Sequence, residues 1–212
     1  MQFDMAQLAP RDRYKLLVST VVPRPIALVT SVDEAGRVNA APFSFFNVLG
    51  SDPPLLVLGI GDRSRDTPKD SAHNIRCSGE FVVNLVDESI AESMNICAVD
   101  FPPEISEIEA AGLSTQVSVQ VKVPRIAQSP VSFECREVQT MEIGRNRVIF
   151  GEVLQMHIRD DLVDAEKLYV HTENLRAVGR MHGAGWYTHT TEIFQIPRLS
   201  YEEWLERHGT DS

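Results

Sequence analysis

Two stretches past the middle of the chain, SFECREVQTMEI (Ser132–Ile143) and RVIFGEVLQMHI (Arg147–Ile158), largely alternate apolar and polar residues and are separated only by the polar turn GRN. A period of two sends successive side chains to opposite faces, so each stretch reads as a β-strand and the short turn makes them an antiparallel hairpin. A hairpin that long exposes an apolar face until further strands or helices cover it. The rest of the chain must therefore supply a β-rich cover.

The upstream sequence does so. PIALVTSV (Pro25–Val32) is β-branched and ends at DEAG, whose Asp33 and Gly36 suit a hairpin loop before NAAPFSFFN (Asn39–Asn47). PLLVLGI (Pro54–Ile60) follows the turn signal GSDP. Three sequential antiparallel strands are expected here. TPKDSAHNIRCSG has the marks of a helix, with Thr67 as N-cap, Pro68 at the first helical position, Asp70 in the first turn and Gly79 just past the end. EFVVNLV (Glu80–Val86) returns to strand, short helices are expected over Ser89–Cys97 and ISEIEAAG, and VSVQVKV (Val117–Val123) again alternates as a strand. RLSYEEWLERHGTDS predicts a short amphipathic helix and a frayed tail. Antiparallel strands interrupted by a few short helices point to a barrel with helical decoration, not to a βαβ sheet.

A length of 212 residues, 43% of them hydrophobic and 24% charged, fits one folded domain with a sizeable core, here residues 1–212 with the core over about 20–190 and an extension over 191–212. The formal net charge of −10 disfavours nucleic acid or an anionic membrane as partner, since both are held by clustered Lys and Arg. MQFDMAQLAP carries an acid where an export signal has a cationic and then an apolar run, and PPLLVLGIG is too short to span a bilayer. Cys77, Cys97 and Cys135 are odd in number, far apart and without a C-x-x-C pairing, which suits reduced thiols in a cytoplasm.

NAAPFSFFN raises a sharper question. Proline cannot donate to a β-ladder, so Pro42 marks an edge or a bulge, and the alanines beside it leave the backbone bare. Continuous alternation would send Ala41, Phe43, Phe45 and Asn47 to one face and Ala40, Pro42, Ser44 and Phe46 to the other. Such a backbone can offer N–H and C=O groups to a flat heterocycle, with Phe as wall and Ser and Asn as polar handles. The same residues also serve as plain core with a bulge.

Nearby, GDRSRDTPKD gathers Arg63, Arg65 and Lys69 around the expected helix start. Free N–H groups, a positive dipole end and cations together suit a phosphate. Read alone, it is better taken as a capped surface helix whose Asp62, Asp66 and Asp70 neutralise the cations. GIGDRS lacks the third glycine of a dinucleotide fingerprint and has no parallel βαβ unit around it. The six histidines show no metal-ligand spacing, no G-x-S-x-G elbow appears, and no metal or side-chain catalytic group is expected. Any chemistry would fall to a cofactor.

Taken in order, VPRPIALVTS, NAAPFSFFNVLGSDPPLLVLGIG, KDSAHNI, GEFVVNLV, FGEVL and VGRMHGAGWY resemble the flavin reductase-like family of FMN-binding split barrels, over about Val22 to Tyr187, with PRPIALVTS similar to its flavoredoxin-like branch. The resemblance implies a six-stranded antiparallel Greek-key split barrel that forms homodimers with FMN near the subunit interface. It puts Thr30 and Ser31 beside the flavin, and Ala41, Pro42, Phe43, Ser44, Phe45 and Asn47 along the ring and ribityl chain. Lys69 is placed on the phosphate, and Arg24 and Arg180 at the flavin site or interface. His182 and Phe45 would face the substrate side. Where reductase components of two-component monooxygenases carry Gly-Asp-His, this chain has Arg145 and Asn146 after the glycine, so the family's usual nicotinamide partner is missing. The implied activity is hydride transfer from NADH or NADPH to flavin, with electrons passed to free flavin, an oxygenase component or another acceptor. The alternatives are a non-enzymatic electron carrier and an FMN enzyme acting directly on a small aromatic substrate.

Overall fold

The computed structural model describes residues 1–64, 67–102, 104–183 and 185–209. Arg65, one of the three cations expected around the helix start, lies outside the described residues. In chain order, α1 (Pro10–Thr20) precedes β1 (Ala27–Val32), β2 (Val38–Phe43), β3 (Phe46–Ser51) and β4 (Pro54–Gly61). Then α2 (Asp70–Ser78) leads to β5 (Glu80–Leu85), followed by α3 (Ala91–Ile96), α4 (Glu107–Ala110) and a small pair, β6 (Thr115–Gln116) with β7 (Arg125–Ile126). The hairpin β8 (Val131–Ile143) and β9 (Asn146–Ile158) comes next, as its alternation predicts. Two further small pairs, β10 (Val163–Asp164) with β11 (Tyr169–Val170) and β12 (Val178–Arg180) with β13 (Tyr187–His189), flank α5 (Thr172–Leu175), and α6 (Tyr201–His208) is the last element. No helix among the described residues is long and apolar enough to cross a membrane.

Seven strands form one antiparallel sheet in the order β2-β1-β5-β8-β9-β4-β3. This corrects the six strands expected, and the reason lies in NAAPFSFFN. That segment is not one strand: β2 ends at Phe43, Ser44 and Phe45 form a crossing, and β3 begins at Phe46. Because β2 and β3 stand at opposite ends of the hydrogen-bonding order yet are two residues apart in sequence, the sheet must curl until its two edges meet. The ladder is not closed there among the described residues, so the barrel is split along this seam. The expected facing is corrected too: Phe43 and Phe46 enter the same core while Phe45 is exposed, because the crossing shifts the parity.

That core lies inside the curl and contains Val29, Phe43, Phe46, Leu58, Ile60, Phe81, Val83 and Ile149. Ala72 and Ile75 on one face of α2 join it, so this helix plugs one side of the curled sheet. Burying a side chain such as Ile75 is worth roughly 1.5–3 kcal/mol. A second core on the opposite face of β1 joins Leu28 and Ala40 to Met94 of α3, Ile108 of α4 and Val178. With both faces covered, β1 reads as an apolar run rather than a clean alternation.

Two local expectations change. Helix α2 starts two residues later than Thr67 suggests, with Lys69 as N-cap, because Thr67 pairs with Ser64 in an isolated extended bridge. Gly79 ends it in the left-handed conformation, as expected (φ +70°). The Val117–Val123 segment is not a strand. Glu134, whose side chain is fully buried, accepts the N–H groups of Val119 (2.8 Å), Gln120 (2.5 Å) and Val121 (3.2 Å), and Glu80 accepts that of Lys122 (2.8 Å). Carboxylates take the place of a neighbouring strand here, while Val121 and Val123 pack on Val82.

Candidate functional site at the seam

The crossing residues Ser44 and Phe45 are held from several directions. Phe45 O accepts from Gly59 N at 2.7 Å, which extends the β3–β4 ladder across the crossing. A Cβ on Gly59 would stand 3.1 Å from the Cβ of Phe45, so the glycine permits this approach. Tyr14, on α1, sits with its ring centroid 6.4 Å from that of Phe45. Sequence reading missed α1, although Pro10 at its start and the apolar spacing of Tyr14, Leu17, Val18 and Val21 signal it.

Arg24 is buried and organises the neighbourhood rather than presenting its charge outward. Its Nη1 donates to Val18 O (2.5 Å) and Val21 O (2.9 Å) at the end of α1, its Nη2 to Met181 O (2.6 Å), and its Nε to Ser44 Oγ (3.3 Å). Burial pushes the guanidinium below its ordinary value, opposed by Tyr14 and assisted by Arg180. One cation thus binds a helix C-terminus, the segment after β12 and the crossing together. The backbones of Arg24 and Arg180 exchange hydrogen bonds at 2.9 and 2.8 Å. The Arg180 guanidinium carbon lies 4.6 Å from the Tyr187 ring centroid, and the exposed His182 faces Trp186 at 5.6 Å.

Thr30 and Ser31 are fully buried and bonded within the protein. Thr30 Oγ1 donates to Pro124 O at 2.6 Å, and Ser31 Oγ accepts from Asn39 (3.4 Å) and Asn74 (3.3 Å). Asn39 also donates to Ser71 Oγ at 2.9 Å, so β1, β2 and α2 share one buried polar network. The roles of half-buried Asn39 and buried Ser71 and Asn74 escaped sequence reading, because a polar residue on a helix or an edge strand gives no sign of the partners the fold brings to it.

Lys69 is exposed, and its Nζ lies 5.6 Å from the centroid of Phe43 at the end of β2. The structure thereby brings together the cation and the strand that the sequence singles out separately. No side chain caps the N-terminus of α2 among the described residues, so its first-turn N–H groups lack a side-chain acceptor beside this lysine. Arg63 is otherwise engaged, pairing with Asp70 at 2.9 Å and Asp100 at 3.7 Å. Asn47 is exposed and accepts from Val48 N at 2.8 Å. Ala41 and Pro42 are half-buried, and Ala41 packs against the inner core. At the hairpin tip, Arg145 reaches Asp62 O (3.4 Å) and Arg63 O (3.3 Å), which docks the tip against the loop before α2. A separate apolar cleft of about 230 Å³, lined by Pro23, Arg24, Ile26, Val86, Val178 and Thr190, shares only Arg24 with the predicted site.

A cation beside an uncapped helix start, next to a strand end and an exposed aromatic on a crossing, offers the charge and polarity that suit an anionic group attached to a flat heterocycle. Residues 18–179 match the flavin reductase like domain, and the chain belongs to the flavin reductase-like family. An uncharacterized protein of Deinococcus radiodurans is 49% identical over 210 residues, covering 97% of this chain and 92% of that protein. The 2-nitrobenzoate 2-nitroreductase NbaA of Pseudomonas fluorescens is similar in structure with a TM-score of 0.86 and 39% identity, over 95% of this chain and 98% of its own. Nitrilotriacetate monooxygenase component B from Bacillus cereus superposes with a TM-score of 0.88 and 31% identity, over 92% and 98%. The fold is the split barrel of this family, mainly β with a few helices.

Proposed function

We propose that this chain is an FMN-binding oxidoreductase that moves hydride from NADH or NADPH to flavin and electrons onward to free flavin, an oxygenase component or another acceptor, working as a homodimer in the cytoplasm. The observation that carries the reading is the convergence of Lys69, the uncapped start of α2 and the end of β2 beside the Ser44–Phe45 crossing. FMN, when bound, supplies the two-electron acceptor of the reaction in its ring system. Lys69 and the first-turn N–H groups of α2 would hold the phosphate. Arg24 fixes Ser44 Oγ toward the crossing, Phe45 shields one face of the ring, and Asn47 and the bare backbone of Ala41 and Pro42 border the ribityl chain. Backbone N–H groups of the Ser44–Phe45 crossing would serve as donors to the ring, where negative charge grows on reduction. Arg180 and His182 border the outer side of this site.

Two relatives support particular acceptors. The likeness to a monooxygenase component B favours an oxygenase partner. The likeness to a 2-nitrobenzoate 2-nitroreductase favours a second reading, direct reduction of a small nitroaromatic. The hairpin tip, where Arg145 is bound to the loop before α2 and no histidine stands, favours instead the alternative of an electron carrier reduced by a partner protein.

Anaerobic stopped-flow mixing of the FMN-loaded protein with NADH or NADPH tests the proposal, with and without a nitrobenzoate. Bleaching of the flavin band is expected with at least one nucleotide. A flavin that stays oxidised with both nucleotides but is reduced by dithionite would overturn hydride transfer in favour of a carrier reduced by a protein.

A further inference from the structure

Helix α1 turns one face to the protein, and that face is covered unevenly. Tyr14 and Val18 stand four residues apart and so share it. Val18 is 2% exposed, whereas Tyr14, one turn nearer the N-terminus, is 53% exposed. Fraying does not account for the difference, because the helix is tied at both ends: Arg13 Nε donates to Leu8 O at 2.8 Å, and Arg24 Nη1 to Val18 O and Val21 O. Tyr14 therefore overhangs a gap in the cover and not a packed floor.

Across this gap stands Phe45, 45% exposed, with the two ring centroids 6.4 Å apart and the planes tilted by 47°. Phe45 is fixed in that position. Its carbonyl is held by Gly59 N at 2.7 Å, and Phe43 and Phe46 on either side of the crossing occupy the core. Two half-covered rings leave apolar surface that a third flat group would cover. The polar surroundings suit the same kind of group. Ser44 accepts from Arg24 Nε at 3.3 Å, and among the described residues its own O–H has no acceptor. Tyr14 also lies near enough to the buried Arg24 guanidinium to act on its charge. A flat heterocycle with hydrogen-bonding edges fits this set, its face on the aromatic rings and an edge acceptor on the Ser44 hydroxyl.

We propose that Tyr14 contacts the flavin ring, so that α1 forms the outer wall of the site at the seam. The inference rests on the FMN site proposed above and gives it a residue from outside the barrel. Phe45 covers one face of the ring, and Tyr14 closes the side that the crossing leaves open. Tyr14 and Lys69 then act on opposite ends of the same ligand.

Titration of the flavin-free protein with FMN and with riboflavin, which lacks the phosphate, tests this. Tyr14→Ala is expected to weaken both ligands alike, by about threefold to tenfold, as loss of one aromatic contact does, and Tyr14→Phe to stay within about twofold of the parent. Lys69→Ala should weaken FMN alone. Lys15→Ala, on another face of α1 where the charge pairs with Asp12 at the surface, should change neither. A second readout separates contact from mere support of Phe45. A phenol in contact with an excited flavin lends it an electron and takes it back, which quenches emission, whereas a phenyl ring does not. Emission of bound FMN should therefore rise on Tyr14→Phe, measured in a Trp186→Phe background that removes the exposed indole beside His182. Unchanged affinities in Tyr14→Ala, or unchanged emission on Tyr14→Phe, in a protein whose parent binds FMN would overturn the wall while leaving the flavin site. A parent that binds no FMN would remove the site and the wall with it.

Discussion

Gly151 shows how much of a fold can hang on a missing side chain. A Cβ there would press into the Cζ of Phe81, 2.9 Å from its Cε1 and 3.4 Å from the Cβ of Cys135, in a part of the core where Phe81 and Cys135 have no exposed surface. We expect Gly151→Ala to lower unfolding stability by about 1–3 kcal/mol through overpacking. Gly61→Ala, on the neighbouring strand, meets only Asn146 Oδ1 at 4.0 Å and should change it by less than about 0.5 kcal/mol. Urea denaturation of both variants checks the pair. Burial likewise explains two of the three thiols, Cys135 in this core and Cys97 in the second, pushing Cys97 up to about 11 and Cys135 higher still and leaving both protonated at neutral pH. Arg24 teaches a related lesson. Its sequence position between two prolines reads as a site residue, but its four hydrogen bonds hold the framework of the site in place.

At the scale of elements, the long hairpin was legible from its alternation, and β1, β4 and β5 from short β-branched or apolar runs bounded by turn signals. The Val117–Val123 segment carries the same pattern and is not a strand, since its N–H groups are claimed by Glu134 and Glu80 from distant parts of the chain. No local pattern announces a buried carboxylate that substitutes for a ladder. This anchor has a pH signature. Burial alone would raise Glu134, but the N–H of Val119, His157 and the N–H groups of Gln120 and Val121 outweigh it and hold the carboxyl below its ordinary 4.5. His157 Nε2 lies 2.5 Å from the carboxylate. The lowered folded value means that the stabilisation is present above pH 4.5 and is lost as pH falls through the folded value. We expect Glu134→Gln to cost about 2 kcal/mol at neutral pH. The melting-temperature gap from the parent should hold above pH 4.5 and narrow below it. A gap independent of pH would contradict the anchor.

For the whole molecule, the split of the barrel follows from a single short crossing. NAAPFSFFN drew attention through its proline and bare alanines, yet its division into β2 and β3 was not legible, because alternation is a local property and the edge-to-edge transfer is a property of the whole sheet. Of the candidate site, Lys69 and the strand end were legible and meet in space, whereas Tyr14 and the network of Asn39, Ser71 and Asn74 depend on contacts between elements. The account's central claim is that a flavin is held at this seam with its phosphate on Lys69. Titration of the flavin-free protein with FMN, followed by flavin fluorescence, tests it directly in the parent and in Lys69→Ala. The account predicts one FMN per chain and an affinity about tenfold or more weaker in the variant, the effect of removing a charge-assisted phosphate contact. Equal affinity in the two proteins, or no binding in the parent, would contradict it.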